Sequence, residues 1–67
     1  MGKWSKRNDN RRRLSQAAHL IDNAIEHLMI IHKSYPEGYE KHQRVLQVYA
    51  VALDDLKQEI EGYRADI

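Results

Sequence analysis

The sequence predicts an all-α fold, a two-helix antiparallel hairpin that dimerises into a four-helix bundle. Three observations predict it. Apolar residues recur at steps of three and four along two long segments, as they do on one face of a helix. The segments are joined by one short break that holds the only proline. The stretch Val45 to Leu53 is apolar everywhere except Gln47, too broad a surface for one neighbouring helix to cover.

The chain has 67 residues, enough for one small domain. With 42% hydrophobic and 31% charged residues it belongs with globular chains rather than disordered ones. It has no cysteine, which excludes a disulfide framework and a thiolate zinc site and suits a reducing compartment. Residues 1–13 lack the apolar run of a signal peptide. The nine apolar-rich residues of Val45 to Leu53 are half of the ~18 that a membrane span needs. We therefore expect a cytoplasmic protein with no membrane partner.

The net charge of +1 conceals an asymmetry. Residues 1–13 hold six basic residues against Asp9, a surplus of five positive charges; residues 14–67 hold five basic against nine acidic, a surplus of four negative ones. Residues 1–13 contain a single aromatic anchor, Trp4, and are expected to form a flexible or partly helical basic arm. Lys3, Trp4, Lys6, Arg7, Arg11, Arg12 and Arg13 are the candidate contacts to nucleic acid or another anionic partner. Lysine and arginine displace counterions from phosphates, and indole and guanidinium planes stack on unpaired bases. Two plainer alternatives stand beside this: a solvated tail, or an arm that docks on Asp54, Asp55, Glu59 and Glu61 of its own or another chain.

The first helix is predicted over about 14–33, where Leu14, Ala17, Ala18, Ile21, Ala24, Ile25, Leu28 and Ile31 recur at threes and fours. His32 and Lys33 suit the negative end of its dipole. The turn is placed at 34–38. Either Pro36 and Gly38 break the chain there, or Ser34 and Glu37 form a capping box with Pro36 inside the next helix. The second helix is predicted over about 39–65, with a heptad seam running Tyr39, His42, Leu46, Tyr49, Leu53, Leu56, Ile60, Tyr63 and Ile67. A short connection makes the helices antiparallel neighbours.

A lone hairpin has one line of contact and leaves much of this apolar surface bare. We expect self-association, or a partner, to cover Ile21, Ile25, Leu28, Met29 and Ile30 of the first helix. The corresponding set on the second is Val45, Leu46, Val48, Tyr49, Ala52, Leu53, Leu56 and Ile60.

Catalytic residues are not predicted. Ser5, Ser15 and Ser34 have no evident histidine–carboxylate setting, and no glycine-rich phosphate loop is present. His19, Asp22 and Glu26 share one helical face, but it is the polar face and no Glu-x-x-His pair occurs, so neither metal nor cofactor is expected. His32 and His42 near the turn form a candidate pH-sensitive pair, packed with Tyr35 and Tyr39. Arg12-Arg13-Leu14-Ser15 fits a basophilic kinase site in four residues, a pattern frequent by chance.

In size and layout the expected dimer resembles the small RNA-binding hairpin dimers of plasmids, a likeness of architecture that rests on no shared motif. The sequence thus points to a small non-enzymatic accessory or regulatory protein, a homodimer whose basic arm contacts nucleic acid or another anionic partner. The alternative is an inhibitor or adaptor that docks on a larger protein through the flank formed by Val45, Val48, Ala52 and Ile30. A third is a structural piece of a larger assembly.

Overall fold

The computed structural model describes the backbone of residues 2–67 and the side chains of residues 6–67. Two helices, α1 (Gly2–Ser34) and α2 (Glu40–Asp66), pack against each other along a rod 59 Å long and 10–15 Å across.

The main departure from expectation is at the start. α1 begins at Gly2 rather than near position 14, so the basic segment continues the helix. Lysine and arginine are good helix formers, and no proline occurs before position 36. The first turn of α1 has no acidic residue, which leaves basic residues at the positive end of the helix dipole. The antiparallel arrangement offsets this by bringing the negative end of α2 alongside. Arg7 Nε donates to the main-chain oxygen of Ile67, and Arg64 Nε donates to the carbonyl of Arg11 at 3.0 Å.

Between the helices the chain follows the broken-turn alternative. Ser34 Oγ turns back to donate to the Ile31 carbonyl at 2.6 Å, so it ends α1 and takes no part in a capping box. Gly38 has φ +97°, a conformation that any Cβ would strain. Its N–H donates to Glu40 Oε1 at 3.3 Å. Tyr39 precedes α2 without a side-chain cap.

The hairpin seam keeps the heptad spacing but is rotated from the expected one. On α1 the covered or half-covered positions include Arg11, Leu14, Ala18, Ile21, Ile25, Leu28 and His32. On α2 and its C-cap they are Gln43, Leu46, Ala50, Leu53, Lys57, Ile60, Arg64 and Ile67. Leu46, Leu53, Ile60 and Ile67 belong to the predicted series, whereas His42, Tyr49, Leu56 and Tyr63 are exposed. Gln43, Lys57 and Arg64 take the inner positions because each lays its stem along the seam and delivers its polar head to α1. Gln43 Nε2 donates to the His32 carbonyl at 3.2 Å, Lys57 Nζ lies 3.0 Å from Asp22 Oδ1, and Arg64 reaches Arg11. Among the described residues only Ala18 is buried, at 5% exposure.

Candidate functional site

Two surfaces carry the chemistry of this molecule: an apolar broad face and an arginine-rich end. The first follows from helical geometry. Overlapping the hairpin seam, each helix carries a second heptad series, whose unshared members lie one residue, or about 100°, around the axis from the seam residues they replace. On α1 it is Leu14, Ala17, Ile21, Ala24, Leu28 and Ile31; on α2 it is His42, Leu46, Tyr49, Leu53, Leu56, Ile60 and Tyr63.

Both second series lie on the same side of the hairpin. The opposite side is identified by its contacts. Asp22 meets Lys57 there, and a cleft of about 350 Å³ is lined by Ser15, Ala18, His19 and Asp22 of α1 together with Glu61 and Arg64 of α2. The polar flanks of the two helices therefore share one broad face and the apolar flanks share the other. On the apolar face Tyr49 is 55% exposed and Tyr63 59%, with Leu56, Leu20 and Ile31 exposed nearby.

Of the expected interface residues, Ile21, Ile25, Leu28, Met29, Leu46, Leu53 and Ile60 are half-covered by the hairpin itself. Val45, Val48, Tyr49, Ala52 and Leu56 are exposed. Val45, Val48 and Tyr49 line an apolar cleft of about 330 Å³ with Lys41 and Arg44. Ile30 is exposed as well, but it does not line this cleft, and helical spacing places it on the side of α1 turned away from α2.

The second surface is the open end of the hairpin. Lys6, Arg7, Arg12 and Arg13 are exposed and Arg11 is half-covered; the side chains of Lys3 and Trp4 lie outside the described residues. Arg7 is tied to the end of α2. A cleft of about 470 Å³ is lined by Asn8, Arg11, Arg12, Ser15 and Arg64, three arginines with no carboxylate-bearing residue among the lining residues. Arginine forks match phosphate geometry bidentately, which makes this the best-equipped anion site among the described residues. Arg64 was not singled out from the sequence. Its position on the α2 seam is the only signal that places it near Arg11, and that signal depends on knowing which seam faces α1.

At the other end, Tyr35 stacks on Tyr39 and on His42 with ring centroids 5.6 Å and 5.3 Å apart. The two histidines share this end but do not pair. His42 joins the ring stack, whereas His32 offers its carbonyl to Gln43 and Tyr35. Asp22, weighed above with His19 and Glu26, is engaged by Lys57. That hydrogen bond holds the Lys57 ammonium above its ordinary pKa of 10.5. No group of three or more metal-ligating side chains is assembled among the described residues. No helix among them is long and apolar enough to cross a membrane. Comparison with protein-family models, curated proteins and solved structures finds no match to this chain.

Proposed function

We propose that this is a small non-enzymatic accessory protein of the cytoplasm that self-associates through its apolar broad face into a four-helix bundle and contacts nucleic acid through its arginine-rich end. The observation that carries the reading is the uncovered second heptad series. A hairpin in which Ala18 alone among the described residues is buried, and which displays Tyr49, Leu56 and Tyr63 on one face, gains most by covering that face with an equal one. Contiguous exposed apolar surface of this kind marks an interaction site.

Nucleic acid is favoured as the anionic partner by the cleft of Arg11, Arg12 and Arg64 and by the helical continuation of the basic segment past the end of α2. A helix holds its charges at fixed spacing, as phosphate tracks require. The test has two parts. Sedimentation equilibrium is expected to give a dimer at micromolar concentration. Fluorescence anisotropy with a short RNA and a DNA duplex is expected to show affinity that falls steeply with salt. A monomer in the first experiment removes the bundle, and absence of binding at low salt in the second removes the nucleic-acid role.

A second reading, docking on a larger protein, draws on the apolar cleft at Val45, Val48 and Tyr49. It predicts that Val48→Asp abolishes a hetero-complex while leaving the self-associated state of the chain unchanged.

A further inference from the structure

The two ways of stacking the apolar faces of two hairpins differ in which helices become neighbours. With both loops at the same end, α2 lies beside the other copy's α1. With loops at opposite ends, α2 lies antiparallel to the other copy's α2. Three features of the molecule separate these arrangements.

The first is a stripe on the outer flank of α2. Lys41, Val45, Val48, Ala52, Asp55 and Glu59 follow one another at alternating steps of four and three, and all are exposed. The stripe is apolar in its middle, basic at its start, where Arg44 adds a second positive charge, and acidic at its end. Such a stripe is self-complementary only when reversed. With loops at opposite ends the stripe meets its own reversed copy, which sets Lys41 and Arg44 against Asp55 and Glu59 and keeps Val48 and Ala52 at the centre.

The second is the matching flank of α1, where Gln16, Leu20, Asn23 and His27 are exposed and none is an acid or a lysine or arginine. Setting α2 beside the other copy's α1 would place Lys41, Arg44, Asp55 and Glu59 along this flank without the opposite charges that a second α2 supplies. The third is the arginine-bearing end. Loops at opposite ends place the two copies of this strongly basic segment at opposite ends of the bundle, beyond the roughly 10 Å over which charges act at ordinary salt.

We propose that the partner covering the apolar face is a second copy of this chain, with its loop at the opposite end, so that the two α2 helices run antiparallel and Lys41 and Arg44 of each face Asp55 and Glu59 of the other. This rests on the self-association proposed above and specifies its geometry.

The chain has no cysteine, so single engineered thiols report the arrangement directly. Lys41→Cys and Glu59→Cys chains are prepared separately, mixed, and treated with a short bismaleimide. Cross-linked dimer is expected in the mixture, between position 41 of one chain and position 59 of the other, and not in either chain alone. Cross-links of 41 to 41 or 59 to 59, or a dimer that gives none, would overturn the arrangement while leaving self-association standing. A wild-type chain that sediments as a monomer would overturn both.

Charge reversal gives an independent check. Lys41→Glu with Arg44→Glu, and separately Asp55→Lys with Glu59→Lys, are each expected to weaken the dimer by about tenfold or more. Mixing the two reversed chains is expected to restore wild-type affinity in a heterodimer. Helical circular dichroism of each variant at high concentration establishes that it folds. Reversed chains that dimerise as well as wild type, or that fail to rescue each other, count against the antiparallel pairing.

Discussion

On one broad face of the hairpin, Asp22 meets Lys57, and Ser15, His19, Glu61 and Arg64 line a polar cleft. On the other, Tyr49, Leu56 and Tyr63 stand out from the same two helices with Leu20 and Ile31 beside them. The polar face meets the needs of its groups within one chain, through an ion pair and hydrogen bonds across the seam. The apolar face cannot, because an aromatic or aliphatic group gains only by leaving water, and a two-helix rod has nothing further to place over it. The contrast is between a polar side whose groups find partners within the hairpin and an apolar side whose large residues stay exposed to water; self-association, as proposed above, would cover the second.

The sharpest way to break that contrast is to make the faces alike. Tyr49→Asp combined with Leu56→Asp is expected to raise the dimer dissociation constant by at least about a hundredfold, since two large apolar groups per chain lose their burial. Sedimentation equilibrium reads the shift, and an unchanged constant would show that this face is not the interface. Next in size is the seam that serves both the hairpin and the proposed bundle. Leu53→Ala is expected to cost about 2–3 kcal/mol and to lower the thermal midpoint by roughly ten degrees or more.

The arginine-rich end sharpens the comparison from the functional side. Changing Arg11, Arg12 and Arg64 together to glutamine is expected to lower the slope of log affinity against log salt by about 2–3 in RNA titrations, with helix content preserved. Gly38→Ala tests the turn: a Cβ at φ +97° meets no neighbour in space, so the expected loss of about 1 kcal/mol is conformational.

The smallest effect is expected on the polar face. Lys57→Met keeps the stem in the seam and removes only a partly solvated ion pair, so the thermal midpoint at neutral pH should hardly move. The sign of its pH dependence follows from the raised pKa of Lys57. The contribution of the pair is complete below the ordinary lysine value of 10.5 and is lost as pH rises through the higher folded value, so wild type and variant should converge only in strong alkali.

Two helices, their antiparallel course and the break at Pro36 and Gly38 were legible in the sequence, because local spacing and backbone chemistry specify them. The start of α1 was not. Thirteen mostly polar residues have no apolar stripe to announce a helix, and what completes this one is the carboxyl end of α2 lying against Arg7 and Arg11. Of the candidate contacts, Arg11 and Arg12 meet in one cleft, yet Arg64, more than fifty positions away in the chain, was invisible to any local pattern.

The sequence by itself determined the periodicity: every third or fourth position apolar, on two segments long enough to pair. Only the tertiary structure decided which of two overlapping heptad series faces the neighbouring helix. The series on α2 differ by one residue and share Leu46, Leu53 and Ile60, so spacing cannot rank them. The choice turns on where long polar side chains find acceptors. Gln43, Lys57 and Arg64 find theirs on α1, and that leaves Tyr49, Leu56 and Tyr63 turned outward on the exposed apolar face.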